Sequence, residues 1–193
     1  LSLFETVHLK QRLKPDELEM IMGTGASADT AMMDRLYKEF EDYLVHGGFL
    51  TAMNDLAKHN RIFPATFNTY NDWIRGDVLK RGKQEHYLRE ILQAMVKRYG
   101  SQTTWNSLAQ DLSIDHPKTV SDYVDLLATM DAVFIQPALT EDKLTAAPKK
   151  ARKLMFTDPF NYHALRSWLS PDREPNNEPQ LPKIKESGWK GTL

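Results

Sequence analysis

Cysteine is absent from this 193-residue sequence. Its absence excludes a disulfide scaffold, a thiolate zinc site and a cysteine nucleophile. The sequence also lacks an apolar run of about 20 residues, the length that a transmembrane helix needs. Its first five residues (LSLFE) lack the basic start of a signal peptide. We therefore expect a cytoplasmic protein with no membrane partner. A leucine stands at position 1 in place of methionine, which is consistent with a piece of a longer chain.

The sequence also lacks an excess of positive or negative charge. Lysine and arginine number 25, aspartate and glutamate number 26, and the net charge is −1. The chain as a whole therefore does not attract nucleic acid or anionic lipid. Hydrophobic residues make up 41% and charged residues 26%, as in an ordinary globular protein. The length fits one domain or two small ones.

The first part of the chain has the periodicity of helices. Leu1, Leu3 and Phe4 fit the end of a strand or a turn that leads into a helix. Further on, Ser27 or Asp29 can cap a helix whose apolar residues recur up to Leu44, and the glycines at 47 and 48 predict its end. The remaining predicted helices of this part cover residues 15–22, 50–60 and 66–81. The inward face of the last one comprises Phe67, Tyr70, Ile74, Val78 and Leu79. We predict a helical bundle over residues 1–82.

The second part of the chain has a different pattern, in which helices are followed by β-like segments. A helix over 85–99 and a short helix capped by Thr103 or Thr104 precede a tight turn and a helix over 117–130. Two β-like segments follow, at 133–137 and 153–156, separated by a polar stretch from 140 to 151. This order is typical of a winged helix-turn-helix. After it, Asp158 and Pro159 predict the start of a short final helix.

The fold class predicted from these patterns is mainly α, with a helical bundle followed by a winged helix-turn-helix that carries a small β-hairpin. The winged-helix domain would cover residues 83–169. Residues 170–193 contain four of the ten prolines and little apolar content. We expect them to form an extended or disordered tail.

No complete catalytic or metal site is evident. The glycines at 23 and 25 are not followed by the lysine and hydroxyl that a phosphate-binding loop needs. The six histidines have no metal-binding spacing on one helix, and the acidic residues are dispersed along solvated helix faces. We expect no catalytic residue, no metal ligand and no cofactor in this chain.

The candidate nucleic-acid contacts lie in the winged-helix part. The helix over 117–130 presents Lys118 outward together with Asp122 and Asp125, which is unfavourable for an approach to phosphates. The dense basic run lies in the wing and comprises Lys149, Lys150, Arg152 and Lys153. A wing of this kind can contact the DNA backbone, but a solvated hairpin tip gives the same pattern.

A second basic cluster ends the helix over 66–81. Its candidate contact residues are Arg75, Asp77, Lys80 and Arg81. Cations at a helix C-terminus interact favourably with the helix dipole, which is one explanation for the cluster. The other is a surface that contacts a neighbouring domain.

Five segments resemble, in order and spacing, elements of a group of bacterial and archaeal AAA+-type ATPases. Residues 41–49 (EDYLVHGGF) resemble its "YLxxGGFP" element, although leucine replaces the final proline. Residues 70–82 (YNDWIRGDVLKRG) resemble its "dIixrDixkrg" helix, with Gly76 in place of the usual residue. The other three are residues 1–5, residues 104–127, similar to the winged-helix segment, and residues 153–159 (KLMFTDP), similar to "KxYfxDpgl".

The resemblance implies a parent protein with an N-terminal P-loop ATPase domain, a helical lid and this winged helix. Residues 1–82 would then be the lid-like bundle, and the missing ATPase domain would be a partner. ATP and Mg²⁺ would bind to the full-length parent, because this chain lacks the Walker A and B motifs and should not hydrolyse ATP alone.

Three hypotheses about function remain open. The first is a non-catalytic lid and winged-helix module that couples domains and contacts protein or DNA. The alternative is a stand-alone winged-helix DNA-binding regulator. The third is a structural interaction module whose acidic helix over 117–130 is the contact surface.

Overall fold

The computed structural model describes residues 1–23, 30–140, 145–147 and 150–170. Within these ranges the chain is mainly helical, with nine helices and one small antiparallel sheet of three strands. The helices of the first part are α1 (Leu3–Leu9), α2 (Pro15–Gly23), α3 (Thr30–His46), α4 (Leu50–His59) and α5 (Pro64–Lys80). The predicted helices of this part are thereby confirmed within a few residues at each end.

Local chemistry sets these helix ends. Ser2 and Glu5 form a reciprocal capping box, so residues 3–9 form α1 instead of the expected strand end or turn. Prolines begin α2 and α5 because the first helical turn needs no backbone donor from them. Gly47, at φ +55°, follows α3 in the left-handed region. The predicted caps at positions 27 and 29 lie outside the described residues.

The second part alternates helices and strands. Its elements are α6 (Glu85–Lys97), β1 (Gln102–Thr103), α7 (Trp105–Gln110), α8 (Pro117–Thr129), β2 (Val133–Pro137), β3 (Arg152–Phe156) and α9 (Pro159–Leu169). Thr104 caps α7 by accepting a hydrogen bond from the Ser107 nitrogen at 3.1 Å. Helix α6 ends two residues before the predicted position, and β3 begins one residue earlier. The segment over 171–193, expected to be extended or disordered, lies outside the described residues.

The three strands form a sheet in the order β1-β3-β2, with antiparallel pairing throughout. Lys153 in β3 lies opposite Gln102 on one side and Gln136 on the other. These three residues are exposed, whereas Leu154 and Phe156 are buried against the helices. The sheet therefore has one solvent face and one core face, as expected for an antiparallel sheet.

Two hydrophobic clusters share the same pair of helices. The larger one joins α6, α7, α8 and the strands to Ile74 and Val78 of α5 and to Leu165 of α9. The smaller one joins α3 and α4 to Phe67 of α5 and to Phe160 of α9. Helices α5 and α9, which pack against each other, are thus common to both cores. The division of the chain at residues 82 and 83 stays a prediction.

One predicted inward position on α5 is wrong. Leu79 is 45% exposed, and Trp73 on the same side of the helix is 44% exposed. The buried face of α5 follows Phe67, Ile74 and Val78, and Leu79 lies about 100° around the helix from Val78. An apolar residue that follows a buried residue in a helix points about 100° away from it, so it need not lie in the core.

Candidate functional site

The loop between α3 and α4 is a double glycine. Gly47 adopts φ +55°, and a Cβ atom there would lie 1.7 Å from Asp158 Oδ1. The backbone nitrogen of Gly48 donates a hydrogen bond to Asp158 Oδ2 at 2.8 Å. The glycines therefore let a carboxylate approach the backbone at a distance that a side chain at position 47 would prevent.

Asp158 serves two elements at once. Its Oδ1 accepts a hydrogen bond from the Phe160 nitrogen at 2.8 Å and so caps α9. Its Oδ2 accepts the bond from Gly48. Burial raises the pKa of the Asp158 carboxyl, and the two backbone donors oppose that shift. A single side chain thus fixes the start of α9 against the end of α3.

Aromatic packing holds α9 in this position. The buried ring of Phe160 stacks on Phe67 at 5.3 Å between centroids and contacts Phe49 at 4.9 Å and Tyr70 at 5.0 Å. One turn further along α9, His163 Nε2 donates to the Leu44 carbonyl at 2.9 Å. Together with Asp158, these contacts form what we call the α9 joint (Gly47, Gly48, Asp158, Phe160 and His163).

A buried polar cluster lies beside the α9 joint. Lys10 Nζ is 2.9 Å from the buried Glu39 carboxylate and 3.1 Å from His46 Nε2. An ammonium can only donate, so His46 Nε2 accepts, and Nδ1 carries the proton that it donates to the Gly47 carbonyl. Burial lowers the pKa of His46, with the Lys10 charge adding to the effect. The cluster ties α1 to the end of α3 next to the double glycine.

The predicted domain-contact residues are brought together only in part. Arg75 donates to both carboxylate oxygens of Glu85, at 3.0 and 3.1 Å, and lies 5.4 Å from the Trp168 ring. It therefore links α5 to α6 and α9. Asp77 and Lys80 pair with each other at 3.6 Å on α5, and the exposed Arg81 caps the same helix.

The predicted nucleic-acid residues have different surroundings. Lys150 and Lys153 are exposed at the hairpin, and Lys149 lies outside the described residues. The Arg152 guanidinium lies 4.3 Å from the Trp105 ring centroid and donates to the Lys150 carbonyl at 3.0 Å. Burial lowers the pKa of Arg152. Arg152 therefore anchors β3 to α7, while Lys150 and Lys153 point to solvent.

The exposed side of α8 is acidic. Lys118 Nζ forms an ion pair with Asp122 at 2.5 Å, which raises the pKa of Lys118. Asp125, one turn further along, is also exposed. A negatively charged backbone that approached α8 would therefore meet two carboxylates and one lysine that is already paired.

Among the residues that the structure describes, no group of three or more histidine, aspartate or glutamate side chains is placed to hold a metal ion. No helix in the described ranges is both long enough and apolar enough to cross a membrane.

Residues 37–172 match the family described as Domain of unknown function (DUF8612). The chain belongs to this family. No curated protein and no solved structure matches the chain. The DUF8612 region begins within α3 and ends just after α9, so it contains the whole α9 joint and the Arg75–Glu85 pair.

The α9 joint was not predicted as a site. Gly47, Gly48 and Asp158 lie within segments 41–49 and 153–159, which were related from the sequence to helix ends and to the ATPase group but not to each other. No local pattern in either segment indicates that they meet. The double glycine was the one usable signal, because glycine often marks a place where another group lies close to the backbone. The sequence does not show that this group is Asp158.

Proposed function

We propose that the chain is a non-catalytic coupling module of an AAA+-type ATPase, in which a lid-like helical bundle is joined rigidly to a winged helix. The observation that carries this proposal is that α5 and α9 belong to both hydrophobic cores. The α9 joint fixes α9 to the first core by a carboxylate, a histidine and an aromatic ring. A displacement of either half would therefore be transmitted to the other.

The order of elements supports a winged helix in the second half. Helix α6 precedes β1, helices α7 and α8 are joined by a short turn, and the β2–β3 hairpin follows. The strand order β1-β3-β2 places the hairpin beside the short first strand. This order of three helices and three strands is the one that the winged helix-turn-helix uses.

The positions of the resembling segments support the ATPase parent. Segment 41–49 supplies the double glycine, segment 70–82 supplies Arg75, and segment 153–159 supplies Asp158. Segment 41–49 contacts segment 153–159 through the Gly48–Asp158 bond and segment 70–82 through the Phe49 and Tyr70 rings, 4.3 Å apart. Arg75 joins segment 70–82 to Glu85 of α6. Residues shared with the ATPase group would therefore maintain the junction and not a catalytic site.

ATP and Mg²⁺ are assigned to the separate ATPase domain of the parent. The double glycine precedes the N-terminus of α4, and a helix N-terminus is a place that a phosphate can approach. The Gly48 nitrogen there already donates to Asp158, whose negative charge would repel a phosphate. This loop does not fit a nucleotide, so no step in hydrolysis is assigned to these residues.

The test compares the isolated chain with a protein that also contains the ATPase domain. The isolated chain should neither bind nor hydrolyse ATP, whereas the longer protein should do both. Within the longer protein, Asp158→Ala should change the rate of ATP hydrolysis. Thr104→Ala should leave that rate unchanged, because Thr104 caps α7 and does not join the two halves of the chain. Hydrolysis by the isolated chain would disprove the proposal.

A stand-alone DNA-binding regulator is the second candidate. It is favoured by the exposure of Lys150 and Lys153 on a hairpin that carries more cations than acids. The acidic outer side of α8 argues against base recognition by that helix. DNA contact would therefore be confined to the phosphate backbone at the hairpin.

A further inference from the structure

The outer face of α5 is unusually open for a helix at the centre of two cores. Gly76 lies in the middle of this face, and a Cβ atom built there meets no other atom within 4 Å. Trp73 and Leu79, three residues before and after it, are 44% and 45% exposed. Asp72 and Lys80, four residues before and after it, are also exposed. Residues at these spacings share one side of a helix.

These five residues, which we call the Gly76 face, are complementary to their own copy. When two identical helices pair antiparallel about a two-fold axis at position 76, each residue faces the one equally far on the other side of the axis. Trp73 then meets Leu79, so apolar surface covers apolar surface. Asp72 meets Lys80, so opposite charges face each other. Each contact occurs twice.

The centre of the face permits close approach. Glycine has no side chain, so the two backbones can come nearer at position 76 than at any residue with a Cβ. Glycine inside a helix destabilises it by roughly 0.5–1 kcal/mol relative to alanine. No neighbouring atom lies within 4 Å of a Cβ built at Gly76, so packing within the chain does not require a glycine there. Contact with a second helix is a reason for a glycine at this position.

Existing ion pairs do not block this pairing. Asp72 is 3.1 Å from Arg75 and Lys80 is 3.6 Å from Asp77, both within α5. Asp72 and Lys80 are the exposed members of these pairs, and exposed pairs of this kind contribute little stability. Either side chain can therefore turn towards a partner across the axis.

We propose that two copies of the chain form a two-fold symmetric dimer through the Gly76 face. This dimer is independent of the proposed coupling function, because it uses the side of α5 opposite both cores. A single helix face is a small interface, so we expect a dissociation constant on the order of 100 µM. Sedimentation velocity over roughly 1 µM to 1 mM should show a monomer–dimer equilibrium.

Charge reversal gives the sharpest test. Asp72→Lys places like charges at both charged contacts of the dimer, and so does Lys80→Asp. Each variant alone should raise the dissociation constant at least tenfold. An equimolar mixture of the two variants should associate at least as well as the unaltered chain, because both contacts then join opposite charges. Asp122→Lys on α8 is the matched control and should leave association unchanged.

Gly76→Gln separates association from folding. The monomer should be at least as stable to thermal unfolding, because glutamine favours helix more than glycine and the space is open. The dimer should dissociate at least tenfold more readily, because a side chain then separates the backbones. A chain that stays monomeric at the highest concentration would overturn the proposal. Failure of the mixed variants to associate better than either alone would also overturn it.

Discussion

The Asp158 carboxylate lies 2.8 Å from the Gly48 backbone nitrogen, across 110 residues of sequence. The contact joins the end of α3 to the start of α9, and the same carboxylate caps α9. A partly buried carboxylate with two backbone donors is strongly positioned, because moving it would leave the carboxylate and both backbone N–H groups without partners. We therefore expect this contact to contribute more to the packing of α9 against α3 than an exposed ion pair does.

The double glycine should be intolerant of side chains at position 47. A left-handed backbone costs a residue with a Cβ about 1–2 kcal/mol, and overpacking adds about 1–3 kcal/mol. We expect Gly47→Ala to lower the free energy of unfolding by roughly 2–5 kcal/mol in urea denaturation. Gly82→Ala is the matched control, since Gly82 also has positive φ but meets no atom within 4 Å. Equal losses in both variants would show that Asp158 is not the obstacle.

Asp158→Ala should cost more than the loss of an ordinary helix cap. Thr104→Ala removes the cap of α7 alone and should cost about 1 kcal/mol. Asp158→Ala also leaves the Gly48 nitrogen without its acceptor, which adds about 1–3 kcal/mol. Combined with Gly47→Ala, it should cost less than the sum, because the clashing group is gone. Strict additivity would contradict the geometry of the α9 joint.

Stability should fall as the pH falls. Burial lowers the pKa of His46 and of His163 below the ordinary value of 6.5, so the unfolded chain binds more protons than the folded one. The two histidines contribute their full stabilisation above pH 6.5. This stabilisation is lost as the pH falls through their lowered pKa values in the folded chain. The free energy of unfolding should change by up to about 1.4 kcal/mol per pH unit for each proton.

Urea denaturation at a series of pH values measures this effect. His163→Gln keeps an amide donor for the Leu44 carbonyl but cannot titrate, so it should flatten the dependence. A stability profile that is flat below neutral pH, or one that His163→Gln leaves unchanged, would contradict the assignment of these histidines as neutral and buried.

If duplex DNA binds at the hairpin, the exposed lysines should govern its salt dependence. Lys150→Ala combined with Lys153→Ala should weaken binding and reduce the slope of log K against log salt by about 2. Lys118→Ala should have less effect, because Asp122 already neutralises that ammonium. Fluorescence anisotropy with a labelled duplex measures both quantities. The absence of binding at low salt would remove the regulator hypothesis.

The helix ends that could be predicted from the sequence are those that one residue determines. Pro15 predicted the start of α2, and the glycine at 47 predicted the end of α3, because their effects act within one turn. Strand β1 was not predicted, since two residues carry no alternating pattern. It exists because Gln102 and Thr103 pair with β3, a partner that is distant in sequence.

The candidate site was harder to predict than the fold. Asp158 was predicted as the beginning of a helix, which it is, but its second bond depends on how α9 packs against α3. Arg152 was predicted as a nucleic-acid contact, yet its guanidinium lies over Trp105. Basic residues in a run appear equivalent in sequence, and only packing distinguishes the two that are exposed from the one that anchors a strand.

Native-state hydrogen exchange tests the central claim most directly. Leu127 is fully buried in α8, and Leu127→Ala should cost about 2–5 kcal/mol through the cavity it leaves. If the halves are coupled, the opening free energies of the slowest amides in α3 and α8 should fall by the same amount, although the hydrophobic cluster that contains Leu127 includes no α3 residue. Destabilised α8 amides with unchanged protection in α3 would contradict the account.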